Sequence, residues 1–198
     1  MVDFLIGLFL ATLIATFFTT RLYGLLFWYS LNSLMLGLLA LVIGNETGDA
    51  GLLVTGGATI IIKAFGIPYI LKRMSHKFHF VRQVTPQIKI QFSIILIPAI
   101  LVFTFYLTEP MTSVMHANAN YVAISISSLF LSLMLMIEHK NIVPKVIGFL
   151  SMENSLFLLG VTATNGMPML VELGIFFDLL MAIVVVNLLF GQEYEVKA

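Results

Sequence analysis

The sequence predicts an all-α polytopic membrane protein with seven transmembrane helices, its N-terminus outside and its C-terminus cytoplasmic. Three observations carry that expectation. First, the 198-residue chain is 60% hydrophobic and only 10% charged, with a mean hydropathy of +1.04. Soluble domains carry about 25% charged residues, and a globule of this size has no way to hide so much apolar surface. Second, apolar runs of spanning length, about 20 residues, recur along the whole chain. Third, Lys and Arg fall almost entirely on alternate loops, as the positive-inside bias requires.

The seven runs are 2–20, 22–43, 50–71, 92–107, 120–137, 146–163 and 168–190. The first lacks a basic flank before it and so reads as a retained span rather than a cleaved leader. Arg21 lies in the first turn between spans. Lys72, Arg73, Lys77, Arg82 and Lys89 lie in the third-to-fourth loop, Lys140 and Lys145 in the fifth-to-sixth loop, and Lys197 in the tail. The alternate loops, 45–49, 108–119 and 164–167, hold no Lys or Arg. Only Lys63 sits inside a span.

The chain thus reads as a single membrane domain, 1–198. Within it are an N-terminal three-helix unit (1–71), a basic cytoplasmic loop (72–91), a bridging helix (92–119) and a C-terminal three-helix unit (120–198). Asn32-Ser33-Leu34 and Asn154-Ser155-Leu156 occupy similar apolar surroundings. They are either the trace of a duplicated unit or a chance likeness between two Leu-rich helices.

Carboxylates in the last two spans are the first candidates for function. A charge at the bilayer centre costs roughly 2.5–3.5 kcal/mol even on mild insertion scales. Glu153 lies roughly 12 Å in from Lys145 at 1.5 Å per residue, too deep to reach water along its own helix. Ser151, Asn154 and Ser155 flank it at helical spacing and can hold water or bond a neighbouring helix. Asp178 falls at the middle of the last span. Glu172 lies one turn inside its outer end, roughly 120° around the helix from Asp178. Each acid either belongs to a proton or ion path or serves as polar glue between helices. Lys63 precedes Gly66 and Pro68, which can break or kink its helix. It either snorkels to the cytoplasmic interface or pairs with one of the carboxylates inside the bundle. Glu138, His139 and Lys140 read as a solvated helix end, with a proton-uptake funnel as the other reading.

The exclusions are broad. With no cysteine in the chain, disulfides, iron–sulfur clusters and thiolate metal sites are ruled out. His76 and His79 have no third partner at ligand spacing, and His116 is isolated, so no metal site is expected. There is no nucleophile elbow, phosphate loop or nucleotide fingerprint. No nucleic-acid partner is expected either. The basic loop suits a topology determinant and a docking surface for a cytoplasmic partner or anionic lipid.

Gly148, Met152-Glu153-Asn154, Gly166-Met167-Pro168, Val171-Glu172-Leu173-Gly174 and Phe177-Asp178 stand in this order in the last third of the chain. In that segment the sequence resembles component E of hydrogenase-4-type membrane-bound [NiFe] hydrogenase and formate hydrogenlyase complexes. More distantly it resembles subunit K (4L type) of respiratory complex I and the small C-type component of Mrp cation/proton antiporters. With Gly148 and Asn154 laid on the Gly and Asn of subunit K, that protein's first intramembrane glutamate falls on Leu150. The acid here, Glu153, stands about one turn along.

The resemblance implies a subunit of the membrane arm in a prokaryotic cytoplasmic (inner) membrane. It would have no catalytic centre, cofactor or metal of its own. Nickel–iron and iron–sulfur chemistry would belong to peripheral hydrogenase subunits on the cytoplasmic side. Other partners would be antiporter-like and quinone-module-like membrane subunits and the lipid bilayer. The role implied is to help couple electron transfer to proton or sodium translocation through Glu153, Asp178, Glu172 and Lys63. The competing expectations are a structural membrane anchor, a subunit of an Mrp-like antiporter, and a free-standing small transporter.

Overall fold

Proline, glycine and two polar turns decide where the helices begin and end. The computed structural model of the chain describes residues 1–77, 90–110, 119–139 and 141–164. These form α1 (Val2–Phe17), α2 (Leu22–Thr47), α3 (Ala50–Ala58), a π-helical segment (Thr59–Gly66), α4 (Ile67–Lys77), α5 (Ile90–Thr108), α6 (Ala119–Glu138) and α7 (Ile142–Thr164). No strand occurs among the described residues.

Among the described residues, five stretches are long and apolar enough to cross a membrane: Leu22–Thr47, Ala50–Arg73, Gln91–Thr108, Ala119–Glu138 and Ile142–Ala163. The second of these is one rod made of α3, the π segment and most of α4. Helix α1 is apolar but has 16 residues, or about 24 Å at 1.5 Å per residue, against a hydrocarbon core of about 30 Å. It stops at Phe17, short of the expected 2–20, and the amide of Thr19 turns back onto Thr16 O. The expected seventh span, 168–190, and most of the basic loop lie outside the described residues.

Helix α2 runs past the expected end at residue 43 and carries Asn45 and Glu46 in its last turn. What stops it is Gly48, in the left-handed conformation (φ 70°) that glycine tolerates at a helix C-terminus. The next residue, Asp49, caps α3: its Oδ1 accepts from Gly51 N at 2.8 Å and Leu52 N at 3.4 Å. Satisfying these otherwise orphaned amides starts the third rod immediately, so α2 and α3 form a tight hairpin. Close approach elsewhere needs glycine too. A Cβ on Gly148 would stand 2.6 Å from Met136 Cγ and 3.2 Å from Ser132 O. The α6 and α7 backbones therefore pack with nothing between them, the small-residue contact typical of helices in lipid.

Apolar burial comes in two layers. One holds Leu13, Phe17, Leu25, Tyr29, Ile67, Leu131, Leu135 and Ile147. The other holds Ile6, Phe9, Leu36, Leu39, Leu52, Phe157 and Leu158. Along α1, α2 and α7, the buried residues between the two layers are polar, among them Thr12 on α1, Asn32 and Ser33 on α2, Glu153 and Asn154 on α7. In the third rod, Thr55, Thr59 and Lys63 lie between Leu52 and Ile67, and all three are buried. The bundle is a sandwich with a polar filling. Its outside is apolar, with Ile61, Phe65, Phe92, Ile95, Val102 and Tyr106 among the most exposed side chains.

Candidate functional site: a charged pair in the polar layer

Lys63 Nζ and Glu153 Oε1 stand 3.1 Å apart, with side chains only 4% and 5% exposed. Of the two placements open to Lys63, the structure has the interior one. Its helix neither breaks nor kinks open at Gly66-Ile67-Pro68; it widens. In an α-helix the Ala64 carbonyl accepts from residue 68, but Pro68 has no N–H and its ring crowds that carbonyl. The chain takes up the misfit as a π stretch, in which the Ile67 amide bonds back to Ile62 O. Ser30 of α2 donates its hydroxyl to Ala64 O in a close hydrogen bond, satisfying the acceptor that proline leaves bare. The wide turn carries Lys63 into the bundle, and π segments of this kind are frequent at functional sites.

The pair is held by amides. Lys63 Nζ donates to Asn154 Oδ1 (3.3 Å), and Asn154 Nδ2 donates to Asn32 Oδ1 (3.2 Å) and Ser33 Oγ (2.9 Å). Asn32 Nδ2 donates in turn to Phe9 O (2.9 Å) and Thr12 Oγ1 (3.3 Å). Both ends of this chain are one-way: an ammonium can only donate and a backbone carbonyl can only accept. The orientation of both amides therefore follows from the ends, with the Asn154 nitrogen facing α2 and the Asn32 nitrogen facing α1. The two Asn-Ser-Leu stretches of the sequence meet here, asparagine to asparagine, across the α2–α7 crossing.

Of the other expected residues, Ser155 faces α6. It donates to Ser151 O (2.9 Å) and stands 3.5 Å from Ser132 Oγ. Ser151 is buried, and its hydroxyl has no hydrogen-bond partner among the described residues. Glu172 and Asp178 lie outside the described residues, as do Lys140, His79 and His116. No group of three His, Cys, Asp or Glu suited to a metal ion occurs among the described residues.

One expectation needs correcting. The end of α6 is not solvated: Glu138 is 1% exposed and His139 3%. Ser93 at the start of α5 donates to Glu138 Oε1 at 2.9 Å, drawing the carboxyl under that helix. The sequence reading also missed a contact at the opposite end of α6, where Tyr121 donates to Asp3 Oδ1 at 2.6 Å. An acid in the first turn of an apolar helix was the available signal.

Fold and site together define an all-helical protein with helices long and apolar enough to cross a membrane and an ion pair enclosed in its interior. Among known proteins, the chain is similar to the uncharacterized protein Rv0085 of Mycobacterium tuberculosis (strain ATCC 25618 / H37Rv). The two are 25% identical over 159 residues, covering 79% of this chain and 72% of that protein. No protein-family model matches the chain, and no solved structure does.

Proposed function

We propose that this chain is a membrane-arm subunit of a complex I-like, membrane-bound hydrogenase complex of a prokaryotic cytoplasmic membrane. In it the chain helps couple electron transfer to the movement of protons or sodium ions. The observation that carries the reading is the Lys63–Glu153 pair, enclosed at 3.1 Å in the polar layer. Charges buried in a membrane bundle are costly and are kept chiefly where they serve ion pathways. The resemblance of residues 148–178 to component E of hydrogenase-4-type complexes supplies the setting, with redox centres on other subunits. In that setting the chain has seven spans and the basic loop faces the cytoplasm. Glu153 and Lys63 change partners as charge moves in neighbouring subunits, and Asp178 and Glu172 on the last span continue the path.

A second reading is favoured by the same geometry. An acid neutralised by lysine, with that lysine clamped by an asparagine, is also good interhelical glue, as a structural anchor requires. One experiment separates the two. The assembled complex carrying Glu153→Gln or Asp178→Asn is reconstituted in liposomes and driven by its electron donor. Coupling through the acids predicts continued turnover with a diminished ion gradient. A full gradient in both variants leaves the anchor.

A further inference from the structure

A second carboxyl is buried outside the central pair, and no Lys or Arg forms an ion pair with it among the described residues. Glu138 Oε1 accepts from Ser93 Oγ at 2.9 Å, while Oε2 is buried with no hydrogen-bond partner among the described residues. His139 follows it, buried, with Nδ1 3.1 Å from Leu135 O. A carbonyl only accepts, so Nδ1 carries a proton and Nε2 is the ring's other, basic position.

The helices packed against α6 bring no compensating charge among the described residues. From α1 comes only Asp3, bonded to Tyr121 at the opposite end of α6. Helix α5 has no charged side chain, and its Tyr106 is exposed. Helix α7 brings Lys145, which is exposed, and Glu153, which Lys63 engages. Glu138 is also remote from that pair. It ends α6, four residues before Ile142 opens α7, and Ile142 and Glu153 are separated by roughly 16 Å of helix at 1.5 Å per residue.

Which ligand fits follows from the donor set. Hard cations take six or more oxygens, and among the described residues this corner offers one open carboxyl oxygen, one hydroxyl and an imidazole. A proton needs only the open oxygen.

We propose that Glu138 is a proton-exchange site, with Ser93 holding one carboxyl oxygen so that the other takes and releases the proton. The O–H bond at Oε2 forms as a proton leaves a hydronium ion or an imidazolium, and breaks in reverse; no other bond changes. The site lies at the end of the bundle that carries the basic loop. On the reading under Proposed function, on which this inference rests, it is the cytoplasmic station from which protons reach the central pair. Ser151, whose buried hydroxyl is open among the described residues, lies between the two along α7.

The test is infrared spectroscopy of the full chain in lipid across a pH series. The expected result is a carboxylic-acid C=O band that titrates, loses its amplitude in Glu138→Gln and survives in Glu153→Gln. In Ser93→Ala the same band moves to higher frequency, because its hydrogen bond is gone, and its midpoint shifts. A spectrum unchanged in Glu138→Gln overturns the proposal. Should that variant fail to fold, an unmoved band in Ser93→Ala overturns it equally. Neither result depends on a hydrogenase partner, so failure here is distinct from a full ion gradient in Glu153→Gln.

Discussion

Removing one partner of the Lys63–Glu153 pair should cost far more than removing both. At 3.1 Å and an effective dielectric of about 20, Coulomb's law gives an attraction of roughly 5 kcal/mol. Against it stands the desolvation of two ions whose side chains are 4% and 5% exposed, a penalty of several kcal/mol each. The two nearly cancel in the intact protein, so the pair itself adds little net stability. Lys63→Met upsets that balance: it leaves the Glu153 carboxyl enclosed and also strips Asn154 Oδ1 of its donor. Such single truncations cost about 3–5 kcal/mol. Glu153→Met strands the lysine in the same way. The double variant Lys63→Met/Glu153→Met encloses no charge, and its loss should fall to about 1 kcal/mol, the unmet Asn154 acceptor. The assay is reversible unfolding of the chain in lipid or mixed micelles, with the wild type and the three variants forming a double-mutant cycle at one pH. The coupling energy should be several kcal/mol in favour of the pair. Additive single losses would show that the two charges do not compensate each other, and the enclosed pair would no longer explain the polar layer.

Three further outcomes follow from the geometry. Gly148→Leu forces atoms into the 2.6 Å gap to Met136; overpacking of this kind costs about 1–3 kcal/mol or more and should show as lowered resistance to denaturing detergent. Ser30→Ala orphans Ala64 O and should cost about 1–3 kcal/mol. In a Pro68→Ala background, residue 68 supplies the missing N–H, so the loss should largely vanish; an undiminished loss there refutes the proline account of the π segment. Asp49→Ala removes the cap on Gly51 N and Leu52 N, and thermal unfolding should register about 0.5–2 kcal/mol, whereas Asp49→Asn should lose much less.

The rods were legible because each is written locally. Apolar runs and polar interruptions place α2, α5, α6 and α7 to within a few residues. The depth of Glu153 follows from counting along α7. What Lys63 does was not legible, because snorkelling and pairing differ only in which way its helix face turns. That depends on how the chain absorbs Pro68, and so on Ser30 in another helix. The burial of Glu138 was hidden for a similar reason. A Glu-His-Lys ending looks solvated until α5, distant in sequence, is laid over it with Ser93 at the contact. Asn45 and Glu46 looked like loop by composition, yet the stop signal was Gly48, two residues further on. Packing between helices decided the first two, and a single backbone conformation the third.

The amide chain also limits how Glu153 can work. Passing a proton through a side-chain amide would require it to gain a proton on oxygen and lose one from nitrogen, which neither a hydroxyl nor a carboxyl needs. Asn154 and Asn32 are locked by one-way partners at both ends, so they orient Lys63 and do not conduct. On the reading under Proposed function, the way open to a proton at Glu153 among the described residues is on the side away from α1. That is the α6–α7 seam, where Ser151 presents an open hydroxyl and Ser132 and Ser155 meet at 3.5 Å. Ser151→Ala should accordingly slow proton-linked coupling while leaving stability almost unchanged, since the hydroxyl it removes has no hydrogen bond to lose among the described residues. Asn154→Leu should instead lower stability, by about 1–3 kcal/mol through its lost interhelical bonds, and release Lys63. If the two variants impair coupling equally and to the same extent as they impair stability, the seam is packing and not a passage.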